Sequence, residues 1–245
     1  MIVKMLWFKD QEKLRKALSI GDEFGPNCTF SVHSDSVAAI NARRLKLKVL
    51  KIGDHAVMVD NVRLTIAAAT GDITILVGGS NIELNVARGV IGHYDFRLWD
   101  DSSVAIGEKT TSNGTKIVAE ESTVSIGRDC MFSDGVILQA SDQHAIVDLK
   151  LGQIINNSPT SLVIHDHVWL GRCSSVMYNT IIGRGSIVGF GSLVTRSVDP
   201  FCLAVGRPAS VIKKDVTWSR QRKALDDYSA ASIDQYQTTQ AGNLK

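Results

Sequence analysis

Proline is scarce in this chain, at four of 245 residues, and aromatic side chains make up only 6%. Charge of one sign is also missing. Lys and Arg number 27 against 25 Asp and Glu, which argues against a nucleic-acid footprint. Cys28, Cys130, Cys173 and Cys202 lie far apart with no C-x-x-C pair, so neither a disulfide framework nor a zinc site is expected, and a reducing compartment fits. No long apolar run occurs: the opening M-I-V-K-M-L-W-F-K is broken by Lys4 and Lys9, and no small-residue cleavage site follows it. We expect no signal peptide and no spanning helix, hence a soluble, cytoplasmic protein.

Val, Ile and Gly are plentiful, as in a β-rich chain with many tight corners. Their order is periodic. Ile164, Leu170, Val176, Ile182, Val188 and Val194 stand six apart, and four residues after each comes Val168, Ser174, Thr180, Ser186, Ser192 or Val198, all small or β-branched. Gly171, Gly183 and Gly189 directly follow three of the aliphatics. A period of six suits neither an α-helix nor an amphipathic strand. It suits a parallel β-helix in which one aliphatic per short face points inward and a small residue turns the corner. Three hexads then make one coil of 18 residues, stacking Ile164 near Ile182 and Leu170 near Val188.

The same count returns upstream in bursts, at Ile52, Met58 and Leu64 and at Ile126, Phe132 and Leu138. Between them, 73–86 and 104–126 alternate like strands but slip register, so an irregular β-helix is expected over about residues 30–213. Residues 1–29 read as an N-terminal cap with a short helix over Asp10–Leu18, Asp10 near its N-cap. Residues 214–245 read as a partly helical extension that frays into Q-T-T-Q-A-G-N-L-K. Both ends would cover the open ends of the stack.

One interruption breaks the count. Between Leu138 and Ile164 about 20 residues, 139–160, must leave the coil, a length at which loops are usually functional. This loop carries Ser141, Asp142 and His144. A lone loop histidine is ordinarily a surface group. This one stands between an acidic residue and an aliphatic anchor, about one coil before the best-formed repeat, which favours catalysis. Trp169 occupies the slot before an inward aliphatic and should point outward, so something must cover it: an oligomer contact or a ligand.

The segments T-V-S-I-G-R-D-C-M-F-S-D-G-V-I-L-Q-A-S-D-Q-H-A-I, G-Q-I-I-N-N, V-I-H-D-H-V-W-L-G-R, I-I-G-R-G-S-I-V-G-F-G-S-L-V-T and A-V-G-R-P-A-S-V-I-K-K together resemble the hexapeptide-repeat acetyltransferases. Their order is most similar to the bacterial capsular polysaccharide O-acetyltransferases, including those acting on polysialic acid. The resemblance is strong over 118–220 and weak before that. It implies a left-handed helix, acetyl-CoA as co-substrate, a glycan acceptor, direct transfer in a ternary complex, and homotrimers with active sites between subunits. By the same resemblance His144 is the general base. Asp142 and Ser141 orient it or touch the acceptor, or Asp142 is a plain loop carboxylate. Trp169 lines the site, where its indole N–H has a donor role. Arg172, Gly189, Gly191, Ser192, Arg207, Pro208, Lys213 and Lys214 are the acetyl-CoA-binding candidates, with Arg184 beside them. Structural readings compete: coil corners need glycine anyway, and lysines often sit on a solvated end.

This chain departs from the family pattern in three places. Ala145 follows the histidine where proline is common, His165 stands at a usual glycine, and Phe190 replaces a small residue. These leave the acceptor and the acyl length open. His33, His55 and His93 read as structural or solvent-facing, and H-D-H at His165 and His167 lacks the spacing of a three-ligand zinc site, so no metal is expected. Two further functions stay open: acetylation of a small sugar, nucleotide-sugar or antibiotic, and a non-catalytic β-helix that serves as a binding module.

Overall fold

The computed structural model describes residues 7–8, 11–54 and 56–242. Strand β1 (Trp7–Phe8) and helix α1 (Gln11–Ala17) precede β2 (Thr29–His33), the first rung of the stack, which helix α2 (Ser34–Asn41) interrupts. Wide coils follow, built from β3 (Leu45–Lys51), β4 (Val62–Ile66), β5 (Ala69–Val77), β6 (Ile82–Val86), β7 (Val90–Leu98), β8 (Ser103–Ile106) and β9 (Thr111–Ala119). From β10 (Ser122–Ile126) onward each coil has three short strands, the next two being β11 (Met131–Phe132) and β12 (Val136–Gln139). The extruded loop holds a hairpin of β13 (Val147–Asp148) and β14 (Gln153–Ile154). The coils resume with β15 (Thr160–Ile164), β16 (Trp169–Leu170), β17 (Ser175–Met177), β18 (Thr180–Ile182), β19 (Ile187–Val188) and β20 (Leu193–Val194). An antiparallel hairpin, β21 (Cys202–Gly206) and β22 (Ala209–Lys214), and helix α3 (Asp227–Gly242) complete the chain.

The first face is a parallel ladder in the order β2-β4-β6-β8-β10-β15-β18. The other side begins as one ladder of long strands, β3-β5-β7-β9, and then divides. Thr111 and Ser112 of β9 pair with β11, while Thr115 to Val118 pair with β12. From there β11-β16-β19-β21 form a second face and β12-β17-β20 a third. The long strands bend where Gly71 and Gly92 stack at φ +116 and +125, a conformation and a closeness that only glycine accepts. A Cβ on Gly92 would run into the Ser112 carbonyl.

Register explains the slipping count upstream. Leu64, Leu84, Val104 and Val124 stack at intervals of 20 residues, and Phe96, Ile117 and Leu138 at 21. Beyond the loop Leu170 stacks on Val188 and Val176 on Val194, at the expected 18. The inward aliphatics from Ile164 to Val194 are at most 1% exposed, and the small residues between them are buried as well. The burst at Ile52, Met58 and Leu64 is not a rung: Met58 is 56% exposed in the turn between β3 and β4, and the core there is Leu45, Val49 and Leu64. Helix α1 begins at Gln11, and Asp10 lies outside the described residues, as does His55. Lys214 closes a strand, and α3 continues to Gly242 where fraying was expected.

Corners are turned by left-handed residues stacked in columns. Asn61, Asn81, Asp101 and Glu121 form one such column at φ between +44 and +59. Its amides bond along the stack: Asn61 Nδ2 donates to Asn81 Oδ1 (2.8 Å) and Asn81 Nδ2 to Asp101 Oδ1 (3.0 Å). Asn and Asp tolerate this conformation better than most residues, and Glu121 has no such excuse.

Candidate active site

The loop leaves the stack from a fixed base. Ala140 is fully buried and its N–H still bonds to the Val118 carbonyl (2.9 Å), while the Thr160 hydroxyl donates to the Ala140 carbonyl at the return. Asn156 clasps the two arms together. Its Nδ2 donates to the His144 carbonyl (2.8 Å) and to Asp142 Oδ2 (3.0 Å), and its Oδ1 accepts from Ile146 N (2.7 Å). Asp148 caps the hairpin turn by accepting from the N–H groups of Lys150 and Leu151.

His144 is exposed, and no hydrogen bond to its ring occurs among the described residues. Asp142 does not hold it. That carboxylate is taken by Asn156 and by the Tyr178 hydroxyl (2.9 Å), a bond that also pushes the Tyr178 phenol above its ordinary pKa. Below the histidine lies a pocket of about 380 Å³. Ser141, Asp142, His144, Asn157, Tyr178 and the pair Glu120 and Glu121 are among its walls. Burial raises the Glu120 carboxyl, repulsion from Asp100 and Glu121 raises it further, and His144, which lines the same pocket, pulls it back. The Ser141 hydroxyl is buried with no partner among the described residues.

Trp169 belongs to a different place. It is half-buried on the second face, and its Nε1 donates to Ser133 Oγ (3.4 Å). A second pocket of about 430 Å³ brings Trp169 together with Arg172, Gly189, Phe190, Asp134 and Leu203. Phe190 stands 76% exposed at its mouth. Lys213 pairs with Leu203 across the terminal hairpin and is exposed, as are Lys214, Arg207 and Pro208. Gly191 turns a corner at φ +66 with open space above it. Ser192 is 1% exposed and accepts from Gly206 N (3.1 Å), so its hydroxyl is spent inside the coil. Arg184 is engaged by Asp166 (3.6 Å) and by Gln235 of α3. Within one chain the two pockets share no wall residue: His144 sits at the corner between the third and first faces, and Trp169 on the second.

His167 has a role that spacing alone did not reveal. It is buried, its Nδ1 faces Asp129 Oδ2 (2.7 Å), and its Nε2 faces the Trp218 carbonyl (2.9 Å). Trp218 stacks on it at 4.4 Å and returns a bond from Nε1 to the His167 carbonyl (2.9 Å). Arg220 reaches the same Asp129 through Nε (2.9 Å) and the Thr111 hydroxyl through Nη1 (2.9 Å). Histidine, carboxylate and arginine therefore tie the strap 217–220 back onto the coils. His33 caps α2 by accepting from Asp35 N (3.1 Å), and His165 is exposed. Among the described residues no group of three or more His, Cys, Asp or Glu is placed to hold a metal ion.

A β-helix with hexapeptide coils and an extruded histidine loop defines a class, the left-handed parallel β-helix transferases. A family model described as "Bacterial transferase hexapeptide (six repeats)" matches residues 161–196. The polysialic acid O-acetyltransferase of Neisseria meningitidis is 32% identical over 165 residues, covering 66% of this chain and 76% of that protein. Its Escherichia coli O1:K1 namesake is 37% identical over 124 residues, half of this chain but only 40% of the relative's own length. Among solved structures, the polySia-specific acetyltransferase NeuO superposes with a TM-score of 0.69 at 27% identity, covering 88% of this chain and all of that one. The polysialic acid O-acetyltransferase OatWY gives 0.61 at 27% identity, over 76% and 95% of the two chains. This chain belongs to the hexapeptide-repeat acetyltransferase family, alongside the polysialic acid O-acetyltransferases.

Proposed function

We propose that the protein transfers an acetyl group from acetyl-CoA to a sugar hydroxyl of a capsular or other surface polysaccharide. The observation that carries this reading is the clasped loop, which holds over a polar pocket a histidine ring that makes no hydrogen bond among the described residues. An imidazole titrates near neutrality and can take the proton of a hydroxyl as its oxygen attacks the thioester carbonyl. The C–S bond then breaks, and the imidazolium returns the proton to the departing CoA sulfur. Asn156 acts as a positioning residue, because it fixes the backbone at His144 and Ile146 and holds the Asp142 side chain before them. Asp142 and Tyr178 shape the acceptor wall and do not orient the ring.

Acetyl-CoA fits the second pocket, where Trp169 and Gly189 line a channel and Arg172 and Lys213 offer charge for its phosphates. Since the two pockets are separate within one chain, we infer that a neighbouring copy brings its Trp169 face to this His144, as in a homotrimer. The outer side of the loop supports this. Ile146, Val147, Leu149 and Leu151 are all large, aliphatic and about half exposed or more, Leu149 to 94%. So much contiguous apolar surface calls for a protein cover. Among the described residues no helix is long and apolar enough to cross a membrane.

The test is free-thiol release from acetyl-CoA with a panel of capsular oligosaccharides. His144→Ala should lose roughly 10²–10⁴-fold in turnover while still binding acetyl-CoA. Normal turnover by that variant would remove His144 from the chemistry.

A further inference from the structure

Three of the walls around His144 are carboxylates, Glu120, Glu121 and Asp142, and no lysine or arginine stands among the described residues that line the pocket. Resting on the proposed transferase function, we propose that Glu120 and Glu121 set acceptor specificity: the sugar presented to His144 is uncharged and hydroxyl-rich, and polyanionic glycans such as polysialic acid are turned away.

Three observations support this. First, the remaining polar walls are hydrogen-bonding and neutral. Ser141 contributes a hydroxyl that is buried and unpartnered among the described residues, and Gln143, Asn157, Thr160, Tyr178 and Asn179 contribute amides and hydroxyls. A buried hydroxyl left without a partner is costly unless a ligand completes it, and a sugar hydroxyl is the right complement. Carboxylates accept bonds from such hydroxyls as well, whereas each sialic acid residue would add a like charge. Second, the field is reinforced from behind, because Asp100 acts on Glu120 together with Glu121. Third, Glu121 is held where glutamate is poorly suited. It closes the left-handed column after Asn61, Asn81 and Asp101, at φ +44. Asparagine would fit that corner and extend the amide ladder, yet the position facing the pocket carries a longer, charged side chain. Discrimination by repulsion is the usual means of excluding a near-identical partner. In the proposed assembly a neighbour's Arg172 and Lys213 come to this site on the face assigned to the CoA phosphates, outside the walls that would take the sugar.

The test compares the full-length protein with a variant carrying Glu120→Gln and Glu121→Asn, the second change suited to the left-handed corner. End-labelled oligomers of polysialic acid, of glucose and of N-acetylglucosamine serve as probes, with equilibrium binding and thiol release both measured at low ionic strength. The wild type is expected to favour a neutral probe over the polysialic one. The variant should bind the polysialic oligomer at least about 10-fold more tightly than wild type does, a gain that shrinks with added salt. The single variant Glu121→Asn should show part of the gain and remain folded. Equal polysialic binding by wild type and variant would overturn the proposal, as would wild type accepting polysialic acid at least as well as any neutral probe. Failure of the transferase reading is separate: it would appear as absent acetyl-CoA binding, and the comparison of polysialic binding would still decide the role of the carboxylates.

Discussion

At the scale of single residues, chemistry is sorted by exposure. Burial pushes the Cys130 thiol up to about 12 and raises those of Cys28 and Cys202, while Cys173 is exposed at a corner. A buried thiol held neutral does not react, because the thiolate is the nucleophile. A thiol reagent should therefore modify one cysteine quickly in the native protein and four after denaturation. Cys173→Ser should abolish the fast phase; its survival would mean that another cysteine is open to solvent. The loop histidine was legible in the sequence because it interrupts a regular count. Tyr178 was not, since its position in the hexads looked like any other outward corner and its partner Asp142 lies 36 residues away. Glu120 and Glu121 were equally silent: the coil, not the spacing, places them in one pocket with His144.

At the scale of elements, α3 is anchored by its first turn. Asp226 Oδ1 accepts from Ser229 N (2.8 Å), and Ser229 Oγ accepts from Asp226 N (2.9 Å), a reciprocal cap. Burial raises this carboxyl, but bonds from the Ser229 and Arg220 N–H groups and from the Ser229 and Ser219 hydroxyls outweigh it and bring it down to about 2. An ordinary aspartate titrates near ~3.9. A depressed folded value stabilises fully above that ordinary value, and the contribution is lost as pH falls from about 4 toward 2. Asparagine caps almost as well without the charge. The stability difference between wild type and Asp226→Asn, followed by Trp fluorescence, should be constant above about pH 5 and vanish toward pH 2. A difference that persists at pH 2 would assign the effect to something other than this carboxylate. The strap before α3 was invisible in the sequence, because Arg220 finds Asp129 across 91 residues. The short faces from Ile164 to Val194 were legible, since an 18-residue coil divides evenly into hexads.

At the scale of the whole molecule, the sequence read the narrow half of the stack and lost the wide half. Coils of 20 and 21 residues do not divide into hexads, so the strands of 73–126 alternated without a common count. The proposed assembly rests on the apolar surface that the loop leaves uncovered. Sedimentation should give three times the 26.6 kDa chain mass, and Leu149→Asp with Leu151→Asp should shift it toward the single-chain value and depress turnover together. A fully active single chain at high dilution would rule out a shared site. The two ends of the stack bear on the form such an assembly takes. Parallel rungs invite further rungs, and a rod built of them is in principle a seed for endless end-on growth. Here β1 runs antiparallel to β2 at one end, and β22 folds back antiparallel on β21 at the other, with Lys213 and Lys214 on its outer strand. One face at each tip is thus turned against the direction of winding, which disfavours end-on growth there, and the flank-to-flank association proposed above would give a closed particle of fixed number rather than a filament.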